Sequence, residues 1–337
     1  MRTGKISENI LSRSVIKPIK HKNRDKIMTG ASLGSDASVT ACKDVISQSS
    51  AGLMFASDKS WFESGLLEFD IKRAFFNAIN NVAAECGKPY AVTVNLLLPK
   101  KTQEQDIKKM MRYLAELCQA EEIEIAGGDT EVTNNVLSPI VNFTAIGAYM
   151  PDNFQNAKKI AHDEMDIVMA GEIALSGTAA LVRLKYDELL ERFAKSYVEL
   201  ALKTEESMSS IYASNLACKY GVRIMHDLSR GGIYGGLWEL SEKTGKGVLA
   251  DMNAIPVRQE TIEMCEMYGL NPYKMLSNGA VLMVTDDGAG LCDYLRQNNV
   301  KSQVIGKLKN NNDKVLIKND EKRYIEAPRG DELYHIL

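Results

Sequence analysis

YAVTVNLLLP (residues 90–99) is followed by KKTQEQDIKKMMRYLAELCQA (100–120) and then by EEIEIAGGDT (121–130). The first segment is strand-length, apolar and β-branched, and it follows the Gly87-Lys88-Pro89 break, so residues 90–98 read as a strand. In the second, Ile107, Met110, Met111, Leu114 and Leu117 recur at helical spacing, the stripe of an amphipathic helix over 103–120. The third opens as a short strand over 122–126. It then meets Gly127-Gly128-Asp129-Thr130, which reads as a turn before another strand over 139–148. Strand, helix and strand in a row are the grammar of an α/β chain.

Working outward, the same alternation continues. Residues 69–86 read as a helix with Ile71, Phe75, Ala78 and Val82 on one face. Residues 37–41 and 52–57 read as short strands. The first 26 residues carry eight basic side chains against Glu8 and Asp25, a solvated surface segment, and Ile6, Ile10, Val15 and Ile16 suggest one amphipathic helix ending at Pro18. A polar stretch near 150–161 marks a domain boundary. Beyond it, strands are expected at 166–170, 279–285 and 303–306, with a terminal hairpin of 315–318 and 323–326. Helices are expected from 178 to 184 and over 205–220, 231–243 and 258–268. The 337 residues suit two domains of this kind, 1–152 and 153–337.

Composition narrows the function classes. Lys+Arg is 41 and Asp+Glu is 44, a net charge of −3, which argues against a nucleic-acid partner. No window approaches the ~20 apolar residues of a membrane span and no signal-peptide core opens the chain, so a cytoplasmic setting is expected. The six cysteines (Cys42, Cys86, Cys118, Cys218, Cys265 and Cys292) contain no CxxC pair and read as scattered buried thiols. No Walker A loop, GxGxxG fingerprint, GxSxG elbow or HExxH pair occurs.

What remains is four aspartates in small-residue contexts: Gly34-Ser35-Asp36-Ala37, Ala56-Ser57-Asp58, Gly127-Gly128-Asp129-Thr130 and His226-Asp227-Leu228-Ser229-Arg230-Gly231-Gly232. Singly, each is the usual composition of a turn or helix cap. Together they suit Mg²⁺, which takes oxygen ligands and substrate phosphates, and the glycines allow close approach of backbone to phosphate. His226 beside Asp227 reads as structural.

The ordered set of motifs resembles the AIR synthase (PurM-like) superfamily, and within it the HypE-like "AIR synthase related" proteins. Gly4-Lys5-Ile6-Ser7 looks like the group's opening element, and Gly34-Ser35-Asp36-Ala37-Ser38-Val39 like its G-[ED]-D-A-A-V. Ser57-Asp58 looks like its TTD, and Asn80-Asn81-Val82-Ala83-Ala84-Glu85-Cys86-Gly87 like A-N-D-[IVL]-A-A-x-G. Gly127 to Thr133 looks like GG[DH]TEVT, and Met225 to Gly232 like MHD[VL]TEGG. The resemblance implies an α/β (α+β) PurM-like two-domain fold. An N-terminal α/β domain would form a β-barrel with that of a second chain, as a homodimer, beside a C-terminal ferredoxin-like domain. It implies ATP and Mg²⁺ as cofactors, in a cleft between the halves. Asp36, Asp58, Asp129 and Asn81 would be the metal set. Gly30, Gly34, Asn80, Gly127, Gly128 and Thr130 would lie on the nucleotide, and Asp227 at its reacting end. The shared chemistry is phosphoryl transfer, dominated by positioning and charge neutralisation. The acceptor would be a small molecule or a protein-borne group.

Two departures bear on chemistry. The family's Asn-Asp pair reads Asn80-Asn81, which removes one negative charge from the metal set. HypE ends in Pro-Arg-x-Cys, whereas this chain reads Pro328-Arg329-Gly330-Asp331, with no thiol after Cys292. Dehydration of a thiocarboxamide on the chain's own tail is therefore not expected. The leading expectation is an ATP- and Mg²⁺-dependent phosphoryl-transfer enzyme. The alternatives are a nucleotide-binding scaffold with little turnover and a thiamine-monophosphate-kinase-like enzyme.

Overall fold

The strand–helix–strand segment sits at the centre of a five-stranded sheet. The computed structural model describes residues 4–5, 10–19, 27–29, 39–40, 52–61, 66–149, 156–319, 321–326 and 330–336. Two compact units emerge, Met1–Val82 with Gly87–Pro151, and Ala83–Cys86 with Asp152–Leu337. The first contains β1 (Gly4–Lys5), β2 (Ile27–Thr29), β3 (Val39–Thr40), β4 (Gly52–Trp61) and α1 (Leu67–Ala84). It continues with β5 (Lys88–Pro99), α2 (Glu104–Ala120), β6 (Glu124–Thr133) and β7 (Ile140–Tyr149). The sheet order is β1-β6-β5-β7-β4, and β2 and β3 form a separate ribbon. β5 and β6 are parallel, as a helical crossover between neighbouring strands requires, and the other pairs are antiparallel.

α2 begins where its sequence says it should. The Gln103 N–H donates to the Asp106 carboxylate at 2.8 Å, closing a capping box, and Glu104 and Asp106 stand in the first turn. Glu104 also accepts from the Ser14 hydroxyl at 2.9 Å and pairs with Arg13. That contact anchors the single helical turn Leu11–Ile16 against α2; residues 6–9 of the expected helix lie outside the described residues. One face of the sheet is a core. Val92, Val94, Leu96, Leu98, Val141 and Phe143 are buried there, with Phe75 of α1 edge-on to Phe143 at 6.0 Å. Each such side chain contributes about 1.5–3 kcal/mol on burial. The alternate residues point the other way and stay open: Asn95 and Leu97 of β5, and Leu53 and Phe55 of β4, are exposed.

Gly127 to Thr130 is not the turn its composition suggests. β6 runs straight through it, paired residue for residue with Thr93 to Leu96 of β5. Asp58 is likewise mid-strand in β4, opposite Phe143. Ladder pairing overrides the turn chemistry of Gly and Asp in both places.

The second unit is built on β8 (Asp166–Ala170), β9 (Ile224–Asp227), β10 (Gly247–Asp251), β11 (Val281–Thr285), β12 (Ser302–Lys309), β13 (Lys314–Lys318) and β14 (Glu321–Tyr324). Its main helices are α3 (Leu175–Leu184), α4 (Ile211–Tyr220), α5 (Gly232–Thr244), α6 (Gln259–Met267) and α7 (Gly288–Gln297). The sheet order is β14-β13-β10-β12-β8-β11-β9. Residues 167–170 and 281–284 are all buried, so the central strands are covered on both faces. Leu216 and Ala217 of α4 and Leu291 and Leu295 of α7 pack on the face carrying Val168, Met225 and Met283. α5 packs on the other.

The expected helix over 205–220 is broken. A tight turn, Lys203–Ser207, precedes α4, which starts only at Ile211. Met208-Ser209-Ser210 interrupts it because Ser210 spends its hydroxyl on Asp227 rather than inside a helix. The terminal hairpin forms, as β13 against β14. Among the described residues no helix is long and apolar enough to cross a membrane.

Candidate functional site

Asp58 is held from two sides. Its own strand supplies the Lys59 N–H to Oδ1 at 2.6 Å, and α1 supplies the Asn77 side-chain amide to Oδ2. One turn back on α1, Arg73 donates to the Lys59 carbonyl at 3.3 Å and to the Ser60 hydroxyl at 3.4 Å, and pairs with Asp70 at 3.9 Å. Asp70, Arg73, Asn77 and Asn81 recur at helical spacing and form a polar stripe along α1. Asp70, Arg73 and Asn77 are buried, while Asn81 is exposed and Asn80 is fully buried. Reading α1 only through Ile71, Phe75, Ala78 and Val82 misses this second stripe, although its spacing was present in the sequence.

Asp129 belongs to the other face of the sheet. The lateral row Lys59–Asn142–Asn95–Asp129 crosses the open side, and the neighbouring row Asp58–Phe143–Val94–Gly128 crosses the covered side. Three strand spacings separate Asp58 from Asp129, roughly 14 Å. One Mg²⁺ ion, with ligands at about 2.1 Å, does not reach both from a single chain. The Asp129 N–H is fixed by the Asn95 side chain at 3.0 Å, leaving its carboxylate on the exposed rim. Beside it, Gly128 takes φ +152°, and a Cβ there would lie 1.8 Å from the Val94 carbonyl oxygen. Only glycine lets the backbone pass so close. Gly127 is half-buried, Gly128 exposed, and Thr130 buried on the covered face.

The second unit places Asp227 at the end of β9, buried, with the Ser210 hydroxyl donating to it at 2.9 Å. Its neighbour His226 points to the opposite face, where Nε2 meets Glu239 of α5 at 2.7 Å. Adjacent in sequence, the two serve different faces, and His226 acts as a strand-to-helix tie. The following loop turns through Gly231 and Gly232, both at positive φ; a Cβ on Gly232 would stand 2.6 Å from the Tyr273 carbonyl oxygen. Asp331 reaches back to this loop. Its carboxylate accepts the Gly231 N–H at 3.0 Å and the Leu333 N–H at 3.1 Å. Asp331 is thus a clamp on the tail. A cavity of about 560 Å³ adjoins it, bordered by Tyr234, Lys274, Tyr324, Tyr334 and His335.

Gly30, Gly34 and Asp36 lie outside the described residues. Among the described residues no three His, Cys, Asp or Glu side chains gather into a metal cage. The groups around Asp58 are its own carboxylate and the Asn77 side-chain amide, with the Asp70 carboxylate tied to Arg73 along the same stripe. That set fits Mg²⁺ in its usual mode, one or two carboxylates with phosphate and water completing the shell.

Residues 72–149 match the family model of the AIR synthase related protein N-terminal domain, and residues 164–319 that of its C-terminal domain. A putative hydrogenase expression/formation protein of Methanocaldococcus jannaschii is 27% identical over 274 residues, 78% of each chain. The crystal structure of E. coli HypE, a hydrogenase maturation protein, superposes with a TM-score of 0.79 at 16% identity, covering 98% of this chain and 100% of that one. A structure of HypE in complex with ATP superposes with a TM-score of 0.73 at 16% identity, over 96% and 95% of the two chains.

Proposed function

The chain belongs to the AIR synthase related family, and on that premise we propose that it is an ATP- and Mg²⁺-dependent phosphoryl-transfer enzyme. The observation that carries the reading is the polar stripe of α1 set against Asp58, in a fold that matches a HypE bound to ATP. In this reading Asp58 and Asn81, with Asp36, face the metal and the phosphates. Gly127 and Gly128, with Gly30 and Gly34, let backbone approach the nucleotide, and Asn80 and Thr130, both buried, complete the nucleotide-binding set. Asp129 acts from the open face, on a separate ion or on a nucleotide shared with a second chain. Asp227, oriented by Ser210, steers the acceptor. Mg²⁺ supplies charge neutralisation on the transferring phosphoryl group. The acceptor is a small molecule or a protein-borne group.

The open face of the first sheet supports a homodimer. Phe55 is 66% exposed, with Leu53 and Leu97 at 40% and 39%, on a sheet whose other face buries Val92, Val94, Leu96, Val141 and Phe143. Apolar residues on the uncovered face of a sheet are the composition of an interface.

The test is an ADP-release assay with Mg²⁺, run against carboxamides, ribonucleotides and thiamine monophosphate. Acceptor-stimulated release that needs Mg²⁺ and falls at least tenfold in Asp58→Ala is expected. Release independent of both overturns the reading. Asn81 favours a second reading, a nucleotide-binding scaffold, because it removes one negative charge from the metal set beside Asp36, Asp58 and Asp129. That reading expects binding without turnover in the wild type and partial recovery of turnover in Asn81→Asp.

A further inference from the structure

Cys86 closes α1 in a left-handed conformation, φ 58°, where glycine or asparagine is the usual residue. Its N–H still returns to the Ala83 carbonyl, and the Gly87 N–H to that of Val82, so the helix end is well formed despite the strain. What the strained position delivers is a thiol. Cys86 is buried in the core of the second unit, where its Sγ lies 3.5 Å from the Val222 carbonyl oxygen. Cys218, on the last turns of α4, packs against the same cluster but is only partly buried. Arg223 is pinned between them. Its Nη1 donates to the Cys218 carbonyl at 2.8 Å and to the Val222 carbonyl at 2.9 Å, and stands 3.8 Å from Cys218 Sγ.

We propose that Cys86 and Cys218 form a redox-active dithiol, with Cys218 the peroxide-reactive sulfur, Cys86 the resolving one and Arg223 the positioning cation. The neighbouring Cys86 thiol and the Arg223 guanidinium, 3.8 Å from its sulfur, pull Cys218 below the usual thiol range. The pairing with Cys218 and burial push Cys86 up. The two thiols are thus differentiated as an attacking and a resolving pair require. Cys118 and Cys265 are buried, and burial alone raises Cys118.

The chemistry balances with a hydroperoxide as oxidant. The Cys218 thiolate attacks one peroxide oxygen, the O–O bond breaks, and the departing alkoxide or hydroxide leaves as alcohol or water after taking a proton. Cys218 is now a sulfenic acid. The Cys86 sulfur attacks it, hydroxide leaves and takes the Cys86 proton as water, and an S–S bond forms. Two thiols have given two electrons to one peroxide.

The test treats the full-length chain with stoichiometric hydrogen peroxide near pH 7, then traps thiols by alkylation and sulfenic acid with dimedone for peptide mass spectrometry. A Cys86–Cys218 cross-linked peptide, reversed by dithiothreitol, is expected. In Cys86→Ser the dimedone adduct should accumulate on Cys218, and in Cys218→Ser Cys86 should stay reduced. Cys218 should alkylate about threefold faster than an ordinary exposed thiol, its larger thiolate fraction being partly offset by lower nucleophilicity. Arg223→Gln should remove that advantage. Oxidation falling instead on Cys42 or spread evenly over the thiols, or no Cys218 adduct in a Cys86→Ser variant with wild-type circular dichroism, overturns the proposal.

Discussion

The two larger sheets of this molecule solve burial in different ways. In the second unit, β8 and β11 lie between α4 and α7 on one side and α5 on the other, and every residue from 281 to 284 is buried. In the first, Val92, Val94 and Leu96 are buried while Thr93, Asn95 and Leu97 between them are not. A sheet covered on both faces is complete within one chain. A sheet covered on one face, with Phe55 and Leu53 on its uncovered edge strand, leaves apolar surface open, which is what the proposed dimer would cover. The difference separates residues that stabilise the fold from residues available for assembly and ligands.

That contrast can be broken by substitution. Met169→Ala, in the doubly covered sheet, is expected to cost about 2–5 kcal/mol in chemical denaturation, whereas Leu97→Ala on the open face should cost well under half of that at concentrations where the chain is monomeric. Equal losses would mean that the open face is buried within the single chain. Next in size, Phe55→Asp should weaken self-association by about 2 kcal/mol, roughly thirtyfold in dissociation constant, measured by sedimentation velocity. A wild type that stays monomeric at high concentration would remove the open face from the account of assembly. Smaller still, Asn81→Asp should tighten Mg²⁺-dependent nucleotide binding by up to about tenfold while leaving thermal stability nearly unchanged, because Asn81 is exposed. A large stability change with no change in binding would make Asn81 a structural residue.

The alternation of elements was legible in the sequence because long periodic segments announce themselves. The α2 stripe and the β5 run both form where their patterns say. What composition obscured was pairing. Gly127-Gly128-Asp129 has the chemistry of a turn, and only the parallel ladder with β5 carries a strand through it. Asp58 was visible as a candidate, but its partner Asn77 was hidden in a helix read for its apolar face alone. The side of the sheet on which an aspartate falls depends on register, and the irregularity between Val92 and Thr93 that sets Asp129's face leaves no local signature. The break before α4 follows from the Ser210–Asp227 bond, a contact 17 residues apart in sequence.

The central claim is that nucleotide and Mg²⁺ bind through aspartates that act as separate groups on two faces of one sheet. Calorimetric titration of ATP into the wild type, Asp58→Ala, Asp129→Ala and the double variant, each with and without Mg²⁺, tests it directly. The account predicts Mg²⁺-dependent binding, at least about tenfold weaker in Asp58→Ala, with the two losses adding to within about 0.5 kcal/mol in the double variant. No binding by the wild type in the presence of Mg²⁺, or a double variant no weaker than either single one, would contradict it.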